Sequence, residues 1–252
     1  MGASEQIIGR WIAARGNREQ LVIATKLGMS PERPGLGRAA IAGGVDDSLE
    51  RLGIEQIDLY YAHQDDPGTP LEETLGAFAE LIEAGKIRHA AASNYSAERL
   101  LQALELGERP DMARYVALQP HYNLMERDYE TELAPLCERH GLSCVPYFGL
   151  ARGFLSGKYR RDGADIESPR AAGVRESYFN DRGFAVLDAL DEIAAAHDSA
   201  VAAVALAWLA AQPTVAAPIA SATSPQQLRE LLAAAELELS AAEIARLSAA
   251  GA

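Results

Sequence analysis

Residues 21–28, Leu-Val-Ile-Ala-Thr-Lys-Leu-Gly, and residues 57–66, Ile-Asp-Leu-Tyr-Tyr-Ala-His-Gln-Asp-Asp, decide the fold. In each, a short apolar run ends on one ionisable side chain: Leu21 to Ala24 runs into Lys26, and Ile57 to Ala62 into His63. Apolar runs of this length, bounded by polar loops and followed by helical patterns, read as buried parallel strands. A lysine and a histidine at the C-terminal ends of successive parallel strands point at one mouth. In a βα barrel that mouth is where the chemistry sits. A lysine snorkelling at a strand end and a histidine satisfied in a loop would leave the same local pattern, so the rest of the chain has to decide.

Outward from these stretches, strand and helix patterns alternate. A helix is expected from Ser4-Glu5 to about Ala14, a strand over 21–26, and a Pro/Gly-rich loop over 28–37. Ile41, Val45, Leu49 and Leu52 then recur at helical spacing up to Gly53. After the strand over 57–63, Thr69-Pro70-Leu71-Glu72 reads as a capping box for a helix that buries Leu71, Leu75, Phe78 and Leu81. Strands over 87–92, 115–119, 142–147 and 215–219 follow, with helices over 129–140, 184–197 and 201–211. Ser96, Ser224 and Ser240 cap the remaining helices, and a long polar loop covers 158–182.

Six strands alternating with helices, without linker or tandem repeat, predict a parallel α/β sheet with βα crossovers. An open doubly wound sheet would place a glycine-rich phosphate turn after its first strand, and Lys26-Leu27-Gly28-Met29-Ser30 does not supply one. The expected fold is therefore a TIM-barrel type, one domain over 1–252, with two strands fewer than the eight that close a barrel.

The net charge of −13 argues against nucleic acid as a partner, since phosphate binding needs a basic face. The longest apolar stretch, residues 200–211, is too short to span a bilayer, and the first residues lack the basic-then-apolar order of a signal peptide. Cys137 and Cys144 are expected as free buried thiols, which with no export signal points to the cytoplasm. No His-x-His strand or carboxylate cluster appears, so no metal site and no metal-dependent hydrolase is expected.

At this point the motifs resemble those of the aldo-keto reductase family over almost the whole chain. They are Gly2-Ala3-Ser4-Glu5, Ala24-Thr25-Lys26, His63-Gln64-Asp65-Asp66, Gly85-Lys86-Ile87-Arg88 running to Ser93-Asn94, Gln119 with Tyr122-Asn123, the stretch YFGLARGFLSGKY over 147–159, and Ala217-Pro218-Ile219 with Gln227-Leu228. The resemblance implies a (β/α)8 barrel that reduces an aldehyde or ketone with NADP(H), NAD(H) not being excluded. The family uses an Asp, Tyr, Lys and His. Lys26 and His63 match the last two, and a cation beside a phenol favours the phenolate. The Asp and Tyr fall in a segment that would end before Ser4-Glu5. The expectation is an N-terminally truncated barrel of about six βα units, Met1 being a misplaced start or a truncation, with weak activity.

By the same resemblance Ser93, Asn94 and Gln119 hydrogen-bond the nicotinamide carboxamide, and Tyr147 stacks on the ring with Phe148 beside it. The backbone around Leu150, Arg152 and Gly153 meets the pyrophosphate, and Ser221, Thr223 and Gln227 lie at the adenosine 2′-phosphate. Glu230 and Leu231 stand where family members often carry a basic residue and an Asn, which leaves NADP preference over NAD open. His121 is a candidate substrate contact, and the loop over 158–182 a candidate substrate wall. The alternative to an enzyme is a non-catalytic nucleotide-binding subunit on the same scaffold, as in relatives associated with potassium channels.

Overall fold

The computed structural model describes residues 2–163, 166 and 168–252. Met1, where the misplaced start is expected, and Ala164, Asp165 and Glu167 of the expected wall loop lie outside the described residues. The chain forms two compact units, Met1–Gln119 with Arg139–Leu142, and Pro120–Glu138 with Ser143–Ala252.

The first unit runs α1 (Ala3–Arg15), β1 (Ala24–Leu27), β2 (Met29–Ser30), β3 (Arg33–Pro34), α2 (Arg38–Leu52), β4 (Ile57–Ala62), α3 (Leu71–Glu83), β5 (Ile87–Ser93), α4 (Ala97–Leu106) and β6 (Tyr115–Gln119). Strands β1, β4, β5 and β6 lie side by side in chain order and all pair in parallel. The architecture is α/β, with parallel strands and crossover helices of the barrel type.

Two contacts fix which strand face meets the helices. Thr25 on β1 donates its hydroxyl to Glu5 on α1 at 2.7 Å. Its register partner Tyr60 on β4 packs edge-on against Phe78 of α3 with ring centroids 6.2 Å apart. Phe78 in turn meets Tyr115 of β6 at 6.1 Å, so α3 is pinned by an aromatic column that is fully buried. Side chains alternate along a strand, so Lys26 and its register partner Tyr61 face away from the helices.

The first strand is shorter and more exposed than its sequence implies. Regular pairing begins at Ala24, and Val22 is 80% exposed. Among the described residues strand β1 pairs only with β4, so the apolar run before it has no second strand to bury it. The loop expected over 28–37 contains the small antiparallel pair β2–β3. The capping box expected at Thr69 does not form. Pro70 is the N-cap without a side-chain cap, and Thr69 gives its hydroxyl to Asp66 at 2.7 Å. Asp66 also accepts the Leu36 and Gly68 amides, which hold its carboxyl below the usual range together with the Thr69 bond.

The second unit holds α5 (Leu133–His140) up to Glu138, then β7 (Ser143–Cys144), α6 (Ala171–Tyr178), α7 (Asp181–Ala196), α8 (Val201–Ala210), α9 (Pro225–Leu232) and α10 (Ala241–Ala250). Helix α8 is apolar all round and is buried from Ala202 to Leu209. Its Trp208 donates the indole N–H to Ser248 of α10 at 3.0 Å and tilts onto Tyr122 at 5.9 Å. Helix α6 falls inside the stretch expected to be loop.

Two expected strands are reduced here. Residues 142–147 give only the two residues of β7, and 215–219 form no regular strand. Val215 bridges Cys144 in parallel, and the Ala216 and Ile219 amides donate to the carbonyls of Cys144 and Pro146 at 2.9 and 3.0 Å. Pro146 and Pro218 have no N–H, so a continuous ladder cannot form across them. Cys137 and Cys144 are free and fully buried. Burial raises both thiol pKa values, that of Cys144 to about 12, with the Tyr129 hydroxyl bonded towards them and to Thr214 at 2.7 Å.

At the last two helices the expected serine caps behave differently. Ser240 and Glu243 form the full reciprocal box on α10. Ser224 accepts the Gln227 amide at 3.2 Å, but the Gln227 side chain is taken by the Thr223 amide and hydroxyl at 2.9 Å. Among the described residues no single helix is long and apolar enough to cross a membrane.

Candidate active site

In the first unit the register carries the argument. Lys26 pairs with Tyr61, and the His63 amide donates to the Leu27 carbonyl at 3.0 Å, one step past the end of β4. His63 lies two residues beyond Tyr61 and therefore shares the face of Lys26. On β5, Ala91 pairs with Tyr61, so Ser93 stands on that face too, and Ser93 pairs with Gln119 on β6. Lys26, His63, Ser93 and Gln119 thus converge at the C-terminal ends of four adjacent parallel strands.

Hydrogen bonds tie this row together. Ser93 donates to the Gln119 carbonyl at 2.8 Å. Asn94, held left-handed at φ 55°, donates its amide to the His63 carbonyl at 2.9 Å and to Ser93 Oγ at 3.2 Å. Lys26 Nζ lies 5.7 Å from the centre of the Tyr61 ring. That contact was missed in the sequence, although the even spacing of Tyr61 and His63 signals a shared face.

Electrostatics follow from position. Partial burial lowers the Lys26 pKa, and burial followed by the Lys26 charge lowers that of His63. At neutral pH the arrangement is a cation beside a neutral imidazole. Such a pair can donate to a carbonyl oxygen and stabilise negative charge gathering on it.

In the second unit Tyr147 and His121 bridge in parallel, their rings stacked at 5.2 Å with an interplanar angle of 12°. Phe148 stands edge-on to Tyr147 at 5.2 Å. His121, expected as a substrate contact, thus occupies one face of Tyr147, and its buried Nε2 has no hydrogen-bond partner among the described residues. Four residues of the following loop are left-handed: Phe148, Ala151, Arg152 and Gly153, at φ 54°, 47°, 57° and 100°. Three of these are not glycine, a costly conformation that surroundings must hold. Asn123 contributes by donating to the Phe148 carbonyl at 2.9 Å.

This loop fits the diphosphate part of a nucleotide. Its curled backbone is of the kind that approaches anions, and Arg152 is exposed beside Gly153. Lys158 Nζ lies 3.4 Å from where a Cβ on Gly153 would stand. The Gly153 amide itself donates to the Leu150 carbonyl at 2.8 Å, so Gly153 offers close approach rather than that hydrogen bond. Tyr147, the ring expected under a nicotinamide, is half-buried with His121 stacked on one of its faces. In the first unit Ser93, Asn94 and Gln119 are the neutral donors and acceptors that a carboxamide asks for. Ser221, Thr223 and Gln227 are exposed, the last two bonded to each other. Among the described residues no three His, Cys, Asp or Glu side chains could hold a metal ion.

Comparison with known proteins gives the family. The model of the aldo/keto reductase family matches residues 1–252. The chain is 31% identical to Protein tas of Escherichia coli (strain K12) over 281 aligned positions, covering 98% of this chain and 79% of that protein. It is 33% identical to a probable voltage-gated potassium channel subunit beta of Arabidopsis thaliana, covering 94% and 75%. It is 29% identical to the L-glyceraldehyde 3-phosphate reductase of Escherichia coli (strain K12), covering 98% and 75%. With parallel βα architecture and a family match along its length, the chain belongs to the aldo/keto reductase family of oxidoreductases.

Proposed function

We propose that this chain binds a reduced nicotinamide nucleotide, NADPH with NADH as second choice, and reduces an aldehyde or ketone to the alcohol. The observation that carries this is the placement of Lys26 and His63 on one face at the ends of adjacent parallel strands, beside neutral Ser93, Asn94 and Gln119. When bound, the nucleotide supplies a hydride to the carbonyl carbon, and the π electron pair moves to oxygen. Neutral His63 donates an N–H to that oxygen, and the Lys26 ammonium stabilises its charge. The proton that completes the alcohol comes from this pair, easier to release from Lys26 because burial disfavours its charged form.

Ser93, Asn94 and Gln119 hold the carboxamide, Tyr147 underlies the ring, and Leu150, Arg152 and Gly153 meet the pyrophosphate. Similarity to the L-glyceraldehyde 3-phosphate reductase supports a small aldehyde as substrate. The partners are this nucleotide and a small carbonyl compound, in the cytoplasm, without nucleic acid or membrane.

A second reading, a non-catalytic nucleotide-binding subunit, is favoured by the 33% identity to the probable potassium channel subunit beta. Titrating NADPH by its fluorescence, then following its oxidation with glyceraldehyde, separates the two. The expected result is saturable binding and turnover that falls about 10²-fold or more in Lys26→Met. Binding without turnover would favour the second reading, and absence of binding would overturn both.

A further inference from the structure

A cation that is half-buried needs something to offset the water it gives up. Lys26 on β1 is such a cation. Among the described residues no carboxylate forms an ion pair with it, and burial is what lowers its pKa. What lies against its ammonium is a ring. Nζ is 5.7 Å from the centre of Tyr61, inside the roughly 6 Å within which an aromatic face attracts a cation.

The strands bring the two together. Lys26 and Tyr61 are register partners on β1 and β4, so their side chains leave the sheet side by side on one face. On the other flank of Tyr61 its partner Ala91 of β5 presents only a methyl group. Tyr61 is 1% exposed, so its ring is held by packing, whereas a lysine head swings on a flexible stem. The ring therefore places the ammonium rather than the reverse. His63 stands two residues beyond Tyr61 on the same face, close enough for the Lys26 charge to act on its imidazole.

We propose that Tyr61 is a positioning residue: the face of its ring seats the Lys26 ammonium beside His63, where a carbonyl oxygen gathers negative charge. The face does this and the hydroxyl does not, so Tyr61 gives no proton to the substrate. The benefit of a seated cation to carbonyl reduction rests on the function proposed above; the seat itself rests on the strand register and the ring contact.

The test uses the whole chain and keeps the shape of the ring. Tyr61→Phe keeps the aromatic face and removes the hydroxyl. A ring-fluorinated phenylalanine at the same position keeps the shape and strips the face of its negative charge. The same fluorinated residue in place of Tyr60, which packs on the opposite side of β4 against Phe78, is the control. Two quantities are read: the His63 pKa by NMR without nucleotide, and kcat and KM for glyceraldehyde with NADPH. Tyr61→Phe is expected to leave both near those of the unaltered chain. Fluorination at 61 is expected to raise the His63 pKa, as the ammonium leaves the imidazole, and to lower kcat about tenfold with nucleotide affinity retained. Fluorination at 60 is expected to do neither. In Lys26→Met the fluorinated ring at 61 should add nothing, because the group it seats is gone. An unmoved His63 pKa or an undiminished kcat on fluorination at 61, or an equal effect in Lys26→Met, would overturn the proposal. A loss already complete in Tyr61→Phe would assign the effect to the hydroxyl and overturn it as well. A shifted His63 pKa in a chain that never oxidises NADPH, even unaltered, would uphold the seat and remove the proposed reductase.

Discussion

Burial lowers the pKa of both Lys26 and His63, but His63 has a second cause, the Lys26 charge on the same strand face. Between its folded pKa and the ordinary 6.5, the unfolded chain binds more protons at His63 than the native one. This contribution to stability is therefore lost as pH falls through that window. In Lys26→Met the smaller cause disappears and the larger remains. The His63 pKa is expected to rise yet stay below 6.5 when its ring proton is titrated by NMR. An unchanged value would show that Lys26 exerts no field on His63. These two residues were legible because an ionisable side chain at the exit of an apolar run has few places to point. Val22 was not, because its letter is the same on a central strand and on an edge.

Elements bounded by local chemistry were legible when no stronger partner intervened. Ser240 has no rival for the Glu243 amide, and its box on α10 forms as the spacing implies. Thr69 has the same spacing but sits beside Asp66, a charged acceptor, and leaves its helix for it. The two positions should therefore respond differently to alanine. Ser240→Ala is expected to cost about 1 kcal/mol in urea unfolding through loss of the cap, whereas Thr69→Ala should leave α3 helical and loosen the Asp66 turn. Glu243 is pulled down to about 2 by the Ser240 bonds and then by His197. Its contribution is present above the ordinary 4.5 and lost as pH falls through about 2. Acid unfolding of Glu243→Gln should lack that step, and identical acid profiles would refute it. The expected strand over 215–219 failed for a reason visible in hindsight, since the prolines at 146 and 218 break the ladder.

At the scale of the molecule, the alternation of strands and helices and the order of the strand-exit motifs were enough to give the fold class and the family. Division into two compact units was not, because no change of composition marks residue 120 and the chain returns to the first unit for residues 139–142. Such divisions are set by which side chains pack together rather than by local letters. The buried thiols of the second unit give this packing a clock. A thiol reagent attacks thiolate, and Cys137 and Cys144 have neither exposure nor, at neutral pH, any appreciable thiolate. Intact protein should therefore show no modification by an aromatic disulfide reagent over minutes, and two equivalents in urea. At high reagent the slow labelling rate should cease to depend on reagent concentration, because each event waits for the unit to open. Immediate labelling of the intact protein would show that these sulfurs are not sealed. Otherwise they time, without any engineered probe, how often this half of the molecule comes apart.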